Sequence, residues 1–164
     1  MSADADADLA GLLLRHVHEL LAWLDDYPGD QVRAGAVADL RRSVAWVTAQ
    51  SPPAGAGAAL EVSAGLVADL MWWLDACADD DVDLHVAVKL QESAAAWVDD
   101  LTGAQRARLL EVLGQLAAGE RHDGRRHALR LFPFAVGLTD DEPDEDEEPA
   151  VREWVRPEDR VAGG

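Results

Sequence analysis

The chain of 164 residues lacks isoleucine and asparagine altogether, and it contains one lysine, Lys89, and one cysteine, Cys77. A single cysteine excludes an intrachain disulfide framework. Because lysine is so scarce, the presence of arginine at a given position says little about the need for a guanidinium there. Phenylalanine and tyrosine together number three, whereas tryptophan occurs six times. The tryptophans are therefore the main aromatic groups available for contacts.

The chain also has few positively charged residues. The chain has 14 Lys and Arg against 32 Asp and Glu, a formal net charge of -18. Such a charge repels phosphates and argues against general nucleic-acid binding. Hydrophobic residues still make up 49% of the chain, which is enough apolar material for a folded core. The length fits one domain, since a domain typically has about 100–200 residues.

Long hydrophobic runs and a basic leader are missing as well. Residues 3–8 alternate between alanine and aspartate, and residues 1–8 lack the basic start of a signal peptide. Uninterrupted apolar runs are short, whereas a membrane span needs about 18 apolar residues. We therefore expect a cytoplasmic protein that does not associate with a membrane.

Hydrophobic periodicity predicts an all-α domain over residues 1–138. The predicted helices are Leu9–Leu24, Gln31–Gln50, Ala58–Ala78, Val82–Asp100, one from Thr102 to Ala118, and a short one around Arg125–Leu131. Thr102 and Gln105 match a capping box at the start of the fifth helix. Asp123 is expected to cap the sixth helix and Pro133 to end it. The simplest architecture is an antiparallel four-helix bundle with one or two additional helices.

A weak internal repeat accompanies the first four helices. The string Ala22–Asp25 resembles Trp72–Asp75, and Ala45–Thr48 resembles Ala96–Asp99. These similarities suggest a duplicated helical hairpin. Chance recurrence in a biased composition is the other interpretation.

Residues 139–164 form an acidic C-terminal tail that is predicted to be largely disordered. Residues 151–157 interrupt its polar character with Trp154 and Val155. Since solvated tails are normally poor in aromatic residues, we expect a short docking segment here. It could bind a groove of its own bundle or of another protein.

No sequence motif indicates an enzyme, and no cofactor is expected. His16 lies within the apolar arc of the first helix beside Trp23, whereas His18 points to the polar side. We interpret His16 as a buried structural histidine, which tends to have a lowered pKa. The alternative is a small helical metal-dependent enzyme with His16 as a ligand. A ferritin-like site is not indicated, because the inward Glu-x-x-His pairs are absent.

Two other local features have structural interpretations. The run from Asp79 to Asp83 lacks the glycine and closing glutamate of an EF-hand. One of Asp80, Asp81 and Asp83 is expected to cap the fourth helix instead. Cys77 is predicted to be a small buried hydrophobic group rather than a reactive thiolate.

The remaining candidates concern surfaces. Trp46 and Trp72 fall on polar helical faces, and Trp72 shares its face with Asp69. Either another helix covers them or they bind a partner, as interface tryptophans often do. The candidate partner-binding residues are Trp46, Asp69, Trp72, Asp144, Glu145, Asp146, Glu147, Glu148, Trp154 and Val155.

Together these features favour a non-enzymatic interaction protein of the inhibitor, immunity, adaptor or regulatory type. Its expected partner is a basic protein, which acidic residues would attract by electrostatic steering. A DNA mimic, whose carboxylates imitate phosphates, is a further alternative. A homodimer formed through an exposed tryptophan face also remains open.

Overall fold

The computed structural model describes residues 2–50, 55–144 and 153–161. These ranges contain seven helices and no strand: α1 (Ala3–Asp26), α2 (Ala34–Gln50), α3 (Ala56–Ala76), α4 (Leu84–Asp99), α5 (Gly103–Gly119), α6 (Asp123–Ala135) and α7 (Pro157–Val161). The predicted all-α class is confirmed.

Helix α3 lies at the centre of the packing. It contacts α1 along much of its length, and α5 and α6 pack against it and against each other. By length and composition alone α3 could cross a membrane, with a mean hydropathy of 1.2 over an 18-residue window. Of that window 72% is buried inside the fold, as in the core helix of a soluble domain. The antiparallel four-helix bundle remains a prediction, because the main contacts join α3 to α1, α5 and α6.

The turns that follow α1 and α3 are joined by a backbone bridge. Val32 and Val82 form an isolated antiparallel pair. The Arg33 amide donates to the Asp81 carbonyl over 2.7 Å, and the Asp83 amide donates to the Gln31 carbonyl over 2.7 Å. Gln31 lies in the turn and Val32 in the bridge, so α2 begins at Ala34 rather than at the predicted Gln31.

The pairs α1–α2 and α3–α4, called the first and second hairpins below, can be aligned with a shift of fifty residues, the separation of Val32 and Val82. The same shift relates the buried positions Leu20 and Leu40 to Leu70 and Leu90. In this alignment Trp97 corresponds to Val47, whereas the predicted match between Trp46 and Trp97 requires a shift of fifty-one residues; the duplication itself stays a prediction. The other predicted match, between Trp23 and Trp73, agrees with this alignment.

Side-chain caps define several helix ends. Thr102 and Gln105 form the predicted capping box of α5, with distances of 3.2 and 2.9 Å. Asp83 caps α4 by accepting the His85 amide over 2.9 Å, which confirms one of the three expected candidates.

The beginning and end of α6 differ from the prediction. Its N-cap is His122, whose Nδ1 accepts the Arg125 amide over 3.2 Å. Pro133 lies inside the helix, which continues to Ala135. A proline removes only one hydrogen-bond donor near the helix end, and the Pro133 carbonyl accepts the Leu138 amide over 2.8 Å. Its ring is also buried, so packing outweighs the local preference to stop.

The tail folds back at its far end. Residues 153–161, called the tail segment below, lie against the other helices and include α7, which contacts α2. This segment is packed, because its apolar and charged side chains contact residues of those helices. Residues 145–152 lie outside the described residues.

Gly124 permits the close approach of α6 to α3. A Cβ at this position would lie 3.1 Å from Trp72 Cζ2 and 3.2 Å from His122 Cε1. We expect Gly124→Ala to lower the free energy of unfolding by about 1 kcal/mol, because overpacking outweighs the gain in helix propensity. Chemical denaturation measures the effect.

Gly114 provides a matched control on α5, because a Cβ there would meet no atom within 4 Å. Gly114→Ala should be neutral or stabilising by up to about 1 kcal/mol. Equal effects of the two substitutions would contradict the close approach of α6 to Trp72.

Candidate functional site

The tail segment places Arg160 in a cleft formed by α3 and the start of α6. Arg160 Nη1 lies 3.2 Å from Asp69 Oδ2, and its guanidinium carbon lies 5.3 Å from the centre of the Trp72 ring. The side chains of Arg160 and Asp69 are only 9% and 6% exposed. We call the set of Asp69, Trp72, Glu120 and Arg125 the arginine groove, because these residues surround or neutralise a buried guanidinium.

The carboxylates of Asp69 and Glu120 and the guanidinium of Arg125 form the part of this groove that lies outside the tail segment. Arg125 Nε donates to Asp69 Oδ1 over 3.0 Å, and its Nη1 donates to Glu120 Oε2 over 2.6 Å. Burial acts against the charge of Arg125, but Asp69 and Glu120 outweigh it and raise the pKa of Arg125. Glu120 also accepts the His122 amide over 2.8 Å. These bonds lower the pKa of Glu120 although its partial burial opposes ionisation.

Arg160 is held less completely than Arg125. Burial lowers the pKa of Arg160, and nearby Arg125 adds to this effect, while Asp69 opposes it. Its Nε donates to the Val155 carbonyl over 2.8 Å. Within the described residues, however, the buried Nη2 of Arg160 has no hydrogen-bond partner. The guanidinium is therefore desolvated without full compensation.

The rest of the tail segment adds apolar and polar contacts. Trp154 packs against the hydrophobic core, and Pro157 is buried. The Ser43 hydroxyl, on α2, donates to the Glu158 carboxylate over 3.2 Å. The indole nitrogen of Trp154 is buried, and among the described residues it too lacks a partner.

The charges of the groove balance only when Arg160 is present. Asp69 and Glu120 are negative, and Arg125 and Arg160 are positive. Removal of Arg160 leaves one uncompensated negative charge in a largely buried environment. Such a charge is costly without a counter-ion, so the groove selects a cation.

The predicted partner-binding residues occupy different environments. Asp69 and Trp72 are 4% and 7% exposed and lie beneath α6 and the tail segment. The interpretation that another element covers Trp72 is thus confirmed. Trp46, Trp154 and Val155 are half-buried. Asp144 is exposed at the edge of a cleft beside α5 and α6, and Glu145, Asp146, Glu147 and Glu148 lie outside the described residues.

Reasoning from the sequence missed the residues that complete the groove. Arg125 belongs to the basic stretch 121–130, in which no local pattern distinguishes it from the neighbouring arginines. Arg160 follows a proline in a polar tail, and no periodic pattern marks it. The available signal was the buried aspartate at position 69, because an aspartate within the apolar helix α3 requires a cationic partner.

His16 occupies an apolar environment of its own, as predicted. It is 1% exposed, its ring stacks on Trp97 at 4.6 Å, and Trp23 lies edge-on at 6.4 Å. The Glu19 carboxylate is 4.0 Å from Nδ1, beyond hydrogen-bond distance. Burial lowers the pKa of His16 to about 4.

The described residues contain no group of three or more histidine, cysteine, aspartate or glutamate side chains arranged to hold a metal ion. His18 and His85 are exposed. Burial, with the charge of Asp81, raises the pKa of Cys77 to about 11, so the thiol stays protonated at neutral pH. Cys77 is half-buried rather than buried as predicted, and its lack of reactivity stays a prediction.

A cavity of about 210 Å³ lies between α3, α4 and α6. Its walls are mainly apolar and include Trp72 and Phe132, with Asp75 and His127 among the polar residues. Both ring nitrogens of His127 are buried, and they have no partner among the residues described. Trp72 thus contributes to this cavity as well as to the arginine groove.

Comparisons with models of protein families, with curated proteins and with solved structures find no match for this chain.

Removal of the central carboxylate should destabilise the protein strongly. Asp69→Ala leaves Arg160 without its carboxylate and removes one of the two that neutralise Arg125. We expect a loss of about 3 kcal/mol in the free energy of unfolding, the scale found when one partner of a buried ion pair is removed. Urea denaturation provides the measurement.

Asp99→Ala is the matched control, because Asp99 pairs with Arg106 while 76% exposed. Its loss should stay below about 1 kcal/mol. If Asp69→Ala has an equally small effect, Asp69 does not organise the groove.

Replacement of His16 should change the pH dependence of stability. The unfolded chain takes up a proton near pH 6.5, whereas folded His16 does so only near pH 4. The stability present above pH 6.5 is therefore lost as the pH falls, by about 2 kcal/mol at pH 5. His16→Leu should remove this contribution and add about 1 kcal/mol at pH 7, because the buried ring nitrogens lack partners and Leu66 fills the equivalent position in the second hairpin.

Denaturation at pH 7 and pH 5 tests this expectation. His18→Leu changes an exposed histidine on the same helix, and it should retain the wild-type pH dependence. An unchanged slope in His16→Leu would show that burial of His16 is not the cause.

Proposed function

We propose that this protein is a non-enzymatic, acidic helical interaction module that binds a basic protein partner. Inhibitor, immunity, adaptor and regulatory roles all share this chemistry. The observation that carries the proposal is that most cationic side chains form ion pairs with carboxylates of the same chain. The unpaired carboxylates then dominate the surface.

Within the part of the chain that the structure describes, at least nine arginines form ion pairs with carboxylates of the same chain. They include Arg33, Arg41, Arg42, Arg106, Arg108, Arg125, Arg126, Arg156 and Arg160. The chain has only 14 cationic side chains against 32 carboxylates, so pairing cannot neutralise the surface. A strongly negative surface attracts a basic partner over distances up to about 10 Å in ordinary buffers.

One end of the molecule concentrates exposed carboxylates from both hairpins. The bridge between Val32 and Val82 holds the turns after α1 and α3 together. Exposed aspartates flank these turns, and we call them the acidic end: Asp26, Asp30, Asp75, Asp79 and Asp80. Such a grouping supports electrostatic steering, which raises association rates more than it lowers dissociation rates.

The test begins with affinity capture on the immobilised full chain at low salt, followed by purification of the captured protein and direct titration. The proposal expects a basic protein whose affinity falls at least about tenfold between about 50 and 300 mM salt. Affinity that is indifferent to salt, or the absence of any basic partner, would overturn it.

A paired substitution locates the surface. Asp79→Asn with Asp80→Asn should lower the association rate several-fold, with little change in dissociation. Asp4→Asn with Asp8→Asn makes the same charge change at the other end of α1, where both residues are exposed, and it should have a smaller effect. Competition by duplex DNA for the same partner would instead favour DNA mimicry.

A further inference from the structure

The arginine groove already contains a ligand of defined chemistry. Arg160 enters it from a segment that is separated from α6 by the acidic stretch beginning at residue 139. The guanidinium meets the Asp69 carboxylate and the face of Trp72. A carboxylate at ion-pair distance and an indole ring at cation–π distance suit arginine, because its guanidinium forms both kinds of contact.

The groove is formed largely without the tail segment. Asp69 and Trp72 lie on α3, Glu120 follows α5, and Arg125 belongs to α6. Arg125 bonds to both Asp69 and Glu120, and Gly124 allows Trp72 to pack closely against α6. The bundle therefore holds the carboxylate and the indole in position by contacts of its own.

The fit of the tail segment is incomplete. Two buried donors, Arg160 Nη2 and Trp154 Nε1, have no partner among the described residues. An unsatisfied buried donor costs about 1–3 kcal/mol. The segment is thus held at a disadvantage that a ligand with better-placed acceptors would avoid, and a competitor can displace it.

We propose that the arginine groove is the recognition site for an arginine-bearing segment of the basic partner, and that residues 153–161 occupy this site when the partner is absent. The inference rests on the proposed function and names the surface through which it acts. The groove is neutral while Arg160 occupies it. When Arg160 leaves, the groove carries one excess negative charge, which the partner's arginine then neutralises. The long-range charge attracts the partner, and the groove then selects its arginine.

A labelled peptide tests whether the groove accepts an arginine segment supplied separately. The probe is a synthetic peptide with the sequence of residues 151–164, and a second peptide carries alanine in place of the arginine at position 160. Fluorescence anisotropy measures binding to the full chain and to its Trp154→Ala/Arg160→Ala variant. Because a tethered segment competes at an effective concentration of about 1 mM, the variant should bind the arginine peptide at least about tenfold more tightly than the wild type.

Arg156→Ala is the matched control, since it removes an arginine of the same segment whose side chain is half-exposed and pairs only locally with Asp159. This variant should bind the peptide as weakly as the wild type. Equal affinities of the wild type and the Trp154→Ala/Arg160→Ala variant, or of the arginine and alanine peptides, would overturn the inference.

A second measurement does not depend on the stability of any variant. Excess unlabelled arginine peptide added to the wild-type chain should increase amide hydrogen exchange at Asp159 and Arg160, whose amides bond to the Arg156 carbonyl. The alanine peptide should leave this exchange unchanged. Protection that persists at saturating arginine peptide would also overturn the inference.

The partner from the capture experiment separates the two proposals. It should bind the Trp154→Ala/Arg160→Ala variant at least about tenfold more tightly than the wild type, because the tethered competitor is lost. Salt-sensitive binding with equal affinities would overturn the groove assignment and leave the proposed function intact. Absence of salt-sensitive binding to a basic protein would overturn the proposed function, whatever the peptide result.

Discussion

The Asp69 carboxylate is the polar constraint on which the organisation of this protein depends. It lies in the apolar central helix, where an unpaired charge would be costly, and it receives guanidiniums from two separate parts of the chain. Arg125 fixes the start of α6 against α3. Arg160 brings the far end of the chain to the same point. One buried carboxylate thus links α3 both to α6 and to the tail segment.

The two hairpins have similar helices but differ in side-chain chemistry at some aligned positions. Their alignment brings Leu66 of the second hairpin to the position of His16 in the first. Val47 likewise corresponds to Trp97. These two differences leave the helices in place. They nevertheless put a titratable ring, that of His16, into an apolar site beside Trp97. The histidine can be accommodated because stacking on Trp97 replaces aliphatic packing, although the ring nitrogens stay unpaired.

Local rules predicted much of the framework, and long-range contacts account for the exceptions. Thr102 and Gln105 lie three residues apart, so their mutual capping follows from sequence. The burial of His16 follows from its place in the apolar arc of α1. In contrast, Pro133 is retained inside α6 because its ring is buried in the fold. Helix α2 begins only at Ala34, because Val32 pairs with Val82, fifty residues away.

The sequence by itself determined the all-α class, most helix positions, the excess of negative charge and the burial of His16, because periodicity, capping and charge act between near neighbours. Tertiary structure alone decided that Asp69, Trp72, Glu120 and Arg125 form one groove and that Arg160 enters it. These residues come from distant segments, and no local pattern records which charges will share a buried site. Their association depends on the balance between desolvation and ion pairing, which exists only after α3, α6 and the tail segment have packed together.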